Sequence, residues 1–136
     1  MAGFWVYCVQ KNIDRSGGAG LPGAMGESMH LSKQIESMYD DAVRIRQDLH
    51  RIPEIGFQLR DTQAYVLREL KQCGPDRIET PAVCGVKAVF FAKDAETTIA
   101  FRADMDGIHN DEANDVPYCS QRPGNMHGCG HDLHMS

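Results

Sequence analysis

The residues best equipped for chemistry stand at the carboxyl end of the 136-residue chain, in Met126-His127-Gly128-Cys129-Gly130-His131-Asp132-Leu133-His134, where three of the six histidines crowd around a cysteine and an aspartate. Thiolates, imidazoles and carboxylates are the side chains that hold a borderline-soft divalent ion. The two glycines let the backbone bring Cys129 and His131 round to one point. A segment this short cannot easily close a tetrahedron, and no second Cys-x-x-Cys or His-x-x-x-His pair occurs elsewhere. The remaining ligands must come from another segment, or the site stays open.

A second set of candidates lies at Ala103-Asp104-Met105-Asp106-Gly107, where a predicted strand delivers two carboxylates at its carboxyl end, the edge at which α/β sheets place their chemistry. Spaced two apart in a continuing strand, Asp104 and Asp106 point the same way, and they repel unless a cation, a proton or water sits between them. The polar loop from His109 to Asn125 returns the chain from this pair to the Cys/His cluster. Cys119 lies in that loop and is expected as a free thiol. His50, just before Arg51-Ile52-Pro53-Glu54, is expected to interact with the last carbonyls of a helix and the negative end of its dipole.

The elements that must position these groups follow from hydropathic period. Ile35, Met38, Tyr39, Ala42, Ile45, Leu49 and Ile52 recur at threes and fours. They predict an amphipathic helix with Ser32 as cap and Pro53 as stop. Its other face, with Asp40, Asp41, Arg44, Arg46, Gln47 and Arg51, reads as solvated charge. A second helix, capped by Asp61 or Thr62, uses Ala64, Val66, Leu67, Leu70 and a core Cys73, and ends at Gly74-Pro75. Arg77 to Thr80 reads as a short strand, and residues 85–92 and 97–102 as stronger ones joined in a hairpin. Residues 1–31, with Ser16-Gly17-Gly18-Ala19-Gly20, are expected as a flexible extension. The alternative is a strand from Phe4 to Val9 that docks on the domain.

The length suits one domain with a real core. A net charge of −5 and a pI near 5.6 argue against nucleic acid or an anionic membrane as partner, and favour a cation. Five irregularly spaced cysteines suit a reducing cytoplasm better than a secreted disulfide framework. The apolar run from Phe4 to Val9 is too short for a signal core or a membrane span.

With these pieces in order, the chain resembles the M20-type metallopeptidases, in the amidohydrolase branch that includes hippurate hydrolases, N-acyl-amino-acid deacylases and auxin-conjugate hydrolases. The resemblance rests on Leu49-His50-Arg51-Ile52-Pro53-Glu54, Gly85-Val86, Phe101-Arg102-Ala103-Asp104-Met105-Asp106 and Met126 to His134. It runs from about residue 32 to the end. The resemblance implies an α/β fold: residues 32–136 as the N-terminal part of a zinc-peptidase-like catalytic domain, two helices followed by strands. A smaller inserted domain, serving as lid or dimer contact in complete members, would follow later in the chain.

The resemblance also implies Cys129 and His131 as metal ligands, Asp106 as a carboxylate supporting them from behind, and two manganese or zinc ions per complete site. The substrate would be a small N-acyl amino acid. A glutamate base and further ligands would lie beyond Ser136, so the chain alone is expected to be an inactive N-terminal fragment. Departures from the family pattern are His109 where proline is common, Gly128 for alanine, and Gln58 for an acidic residue. Two other readings stay open: a non-catalytic metal-binding or interaction module, and a redox thiol at Cys129 activated by neighbouring imidazoles.

Overall fold

The computed structural model describes residues 33–93 and 97–136, together with the backbone of 5–11. Its elements in chain order are β1 (Trp5–Lys11), α1 (Tyr39–His50), α2 (Arg60–Gln72), β2 (Arg77–Glu79), β3 (Val86–Phe90), β4 (Thr97–Phe101), β5 (Ile108–His109), β6 (Asn125–Met126) and a single turn, α3 (His131–His134). This is an α/β arrangement with the two main helices preceding most of the strands, as expected.

The four-stranded sheet has the order β2-β3-β1-β4. The hairpin predicted for β3 and β4 is therefore not formed. β1 lies between them, parallel to β3 and antiparallel to β4. Neighbouring strands stand about 4.8 Å apart, so strands flanking a third are about 10 Å apart. The six residues between Phe90 and Thr97 can span that gap, whereas a tight turn could not. Of the extension expected for 1–31, only Trp5–Lys11 is described, and there the backbone pairs as the docked-strand alternative has it. The rest, with the proposed Ser32 cap, lies outside the described residues.

Residues 33–37 are helical, the helix breaks at Met38, and α1 runs on to His50. The predicted apolar stripe divides along this length. Ile35, Met38 and Tyr39 are exposed, whereas Leu49 is fully buried and Ile45 and Ile52 pack on the core. α2 buries Thr62, Tyr65, Val66 and Leu70, and Leu59, Cys84, Val86, Ala88, Ala103 and Met105 complete the centre. Two expectations for α2 fail. Cys73 is exposed, because the buried stripe passes through Tyr65 and leaves the residue after Gln72 on the outside.

Neither Asp61 nor Thr62 caps the helix either. The carboxylate of Glu54 takes the N–H groups of Asp61 at 3.2 Å and Thr62 at 2.7 Å, satisfying helix-end donors that would otherwise lack partners and placing negative charge at the positive end of the dipole.

Glu54 also links the helices to the site. Its carbonyl accepts the Gly107 N–H at 2.7 Å, which pins the residue after Asp106 against the Pro53-Glu54 turn. A side chain at Gly107 would lie 2.9 Å from the Met126 carbonyl and 3.0 Å from Pro53 Cβ. Glu54→Ala is expected to lower unfolding free energy by about 0.5–2 kcal/mol through loss of the cap, and Gly107→Ala by about 1–3 kcal/mol through overpacking. Urea denaturation of the 136-residue chain measures both, and an unchanged midpoint for either variant contradicts the role given to that residue.

Candidate metal centre

β4 delivers the chain to the site, and the alternation of the strand outlasts its hydrogen-bonded ladder. Ala103, Met105 and Gly107 are buried, while Asp104 and Asp106 lie on the less buried side. The two carboxylates nevertheless find different partners. Asp104 accepts from the Arg102 guanidinium at 2.8 Å, and Asp106 lies at His131.

The returning segment is brought home by β5 and β6, which pair Ile108 with Met126 and His109 with Asn125. This small ladder sets Asp106-Gly107 beside His127-Gly128. The chain then reverses at Gly130, whose φ of 76° lies in the left-handed region that other residues enter at a cost of about 1–2 kcal/mol. α3 begins on the next residue and aims the His131 ring back at β4.

His131 Nδ1 donates to the Asp106 carbonyl at 2.7 Å. A carbonyl can only accept, so Nδ1 carries a proton, and in the neutral ring the lone pair is the one on Nε2. Asp106 Oδ1 lies 3.2 Å from the same nitrogen but receives no hydrogen bond among the described residues, because the N–H is directed at the carbonyl. An imidazole whose far nitrogen is committed to a backbone carbonyl is the usual preparation of a metal-ligating histidine. Cys129, two residues earlier, is an exposed free thiol. The donor set and the orphaned Asp106 oxygen suit a divalent cation, although among the described residues no three His, Cys, Asp or Glu side chains gather into a ready cage.

His127 is 5% exposed, and neither ring nitrogen has a partner among the described residues. Burial drives its pKa down to about 4, helped by His50 and His131 and opposed by the carboxylates of Asp132 and Asp106. It is therefore neutral at pH 7.

Behind the cluster lies a polar network that the sequence reading did not anticipate. The His50 ring does not serve the helix carbonyls. It is buried, with Nδ1 2.7 Å from Asp132 Oδ2 and Nε2 3.0 Å from Glu112 Oε1. Arg46, expected as solvated charge, donates to the same Asp132 oxygen at 2.9 Å, and Tyr118 stands edge-on to His50 with the Arg46 guanidinium over its ring. Burial pushes the Glu112 carboxyl up, but the Ser120 N–H, His50 and Asn114 pull it down to about 2. Cys119 is a free thiol, as expected, and its sulfur donates to the Asn114 carbonyl.

The last part of the chain, residues 100–136, matches the sequence profile of peptidase family M20/M25/M40, and the chain belongs to that family. Its relatives include N-acetyldiaminopimelate deacetylases. The Bacillus subtilis (strain 168) protein is 44% identical over 98 residues, covering 71% of this chain and 26% of the relative. That of Listeria monocytogenes serotype 4a is 38% identical over 100 residues, covering 73% and 27%. Among solved structures, Bacillus subtilis YxeP, a dinuclear metal-binding peptidase of the M20 family, superposes with a TM-score of 0.56 at 26% identity, covering 74% of this chain and 28% of that one. The chain thus spans about a quarter of the length of these proteins.

The lowered pKa of Glu112 fixes the sign of a pH dependence. A carboxyl held near 2 when folded and near 4.5 when unfolded contributes stability that is complete above about pH 4.5 and is lost as pH falls toward 2. Urea midpoints of the parent chain are expected to fall across that window more steeply than those of Glu112→Gln. The variant should already be weaker at neutral pH by about 1–3 kcal/mol. Parallel pH profiles for the two proteins would contradict the assignment.

Proposed function

We propose that the chain is the metal-binding part of an amidohydrolase that removes the acyl group from an N-acyl amino acid, with Cys129 and His131 as metal ligands. The observation that carries this reading is the His131 Nδ1–H···Asp106 carbonyl bond of 2.7 Å, which leaves Nε2 as the ring nitrogen open to a cation. Asp106 supports the site by fixing that tautomer. Its Oδ1, without a hydrogen bond among the described residues, faces the same ring nitrogen at 3.2 Å.

A divalent ion of the manganese or zinc kind, two per complete site, supplies Lewis-acid polarisation of the scissile carbonyl and activation of water when bound. Cys129 would enter as thiolate, since coordination deprotonates the sulfur, and the protein's own share is to hold the His131 ring by its Nδ1 against the Asp106 carbonyl. The deacetylase relatives suggest the substrate class: an acetylated amino group on a diamino acid, cleaved to acetate and the free amine. A cytoplasmic location accords with the cysteine usage and with the absence, among the described residues, of a helix long and apolar enough to cross a membrane. Self-association belongs to the same reading of the complete protein.

The test uses a protein of the relatives' length that contains this chain, loaded with manganese or zinc. N-acetyldiaminopimelate and other N-acyl amino acids should release free amine. Cys129→Ala should bind metal at least tenfold more weakly, on the order expected for loss of one ligand, with a matching loss of turnover. Turnover without metal, or undiminished metal content in Cys129→Ala, contradicts the proposal.

A further inference from the structure

His50 ends α1 with its side chain 5% exposed, between carboxylates that are themselves 4% and 1% exposed. Its two nitrogens serve different segments. Nε2 meets Glu112 at 3.0 Å, and Glu112 in turn holds the loop through the Ser120 N–H at 2.7 Å. Nδ1 meets Asp132 at 2.7 Å, and Asp132 is joined by one peptide bond to His131. The His131 ring is anchored at its Nδ1 by Asp106, so its remaining freedom is that of its own backbone, and Asp132 is the side chain that fastens that backbone to α1.

We propose that His50 is a positioning residue for His131, acting through the Nδ1 contact with Asp132 and not through the Nε2 contact with Glu112. The inference rests on the reading of Cys129 and His131 as metal ligands. Arg46 also grips Asp132, but its side chain is 32% exposed, and a partly solvated guanidinium fixes a carboxylate less firmly than a buried ring does. Partners behind a metal ligand commonly change metal affinity by 10–100-fold, although they never touch the ion.

The two nitrogens can be removed one at a time. Asparagine at position 50 sets its amide nitrogen where Nδ1 lies, and glutamine sets its own where Nε2 lies. Zinc titration of the 136-residue chain by calorimetry should find His50→Asn within about threefold of the parent, and His50→Gln weaker by roughly 10–100-fold. Asp132→Asn should lose affinity as His50→Gln does, and Glu112→Gln should not. Equal losses in the two His50 variants, or no loss in either, overturn the proposal, since a histidine needed only for folding would be missed equally in both.

Cys129→Ala separates the two levels. If it binds zinc like the parent, the ligand reading fails. If it abolishes binding while His50→Gln is unaffected, the positioning role alone fails. A metal-free readout stands beside these: ring nitrogen NMR of His131 should show the proton on Nδ1 in the parent and in His50→Asn, and a mixture of tautomers in His50→Gln and Asp132→Asn. An unchanged His131 signal in both of the latter overturns the inference even if no variant, or not even the parent, takes up zinc.

Discussion

A carboxylate with 1% of its surface in contact with water can remain charged only if donors replace the solvent it has lost. Asp132 is such a group, and much of the molecule is arranged to supply its donors. The end of α1 must reach it, because that is where Arg46 and His50 stand. α1 must then stop, which Pro53 enforces, and the turn that follows must carry Glu54 to the start of α2 and to Gly107. Glu54 thus ties the start of α2 and Gly107 to the turn after α1, and Asp132 ties α3 to the end of α1 through Arg46 and His50. His131 inherits its position from the second of these ties.

The energetics of such a network are uneven. Replacing a buried ionic cluster wholesale with apolar groups is often harmless, whereas removing one member leaves the others unpaired at about 3–5 kcal/mol. A network of this kind specifies geometry more than it adds stability. That matches its place behind a pair of candidate ligands, where small displacements change what an ion experiences.

How much of this could be read from the sequence depends on how local each signal is. The two helices and the strands around Val86–Phe90 and Thr97–Phe101 were legible, because period and Gly-Pro punctuation act over a few residues. The M20 resemblance was legible from the order of its motifs. What was lost is long-range. His50 meets partners 62 and 82 residues away, and no spacing announces Glu112 within a loop already rich in acids. The cap from Glu54 was missed because the nearer Asp61 and Thr62 carry the usual capping side chains. The hairpin failed for a similar reason: adjacency in sequence argued for β3 beside β4, and a strand from the far amino end took the place between them.

The central claim is that one sulfur and one imidazole of this chain share an ion. X-ray absorption at the zinc edge of the zinc-loaded 136-residue chain measures the bound atoms themselves. The account predicts a single sulfur neighbour at about 2.3 Å together with imidazole nitrogen at about 2.0–2.1 Å. A shell of oxygen and nitrogen with no sulfur would contradict it.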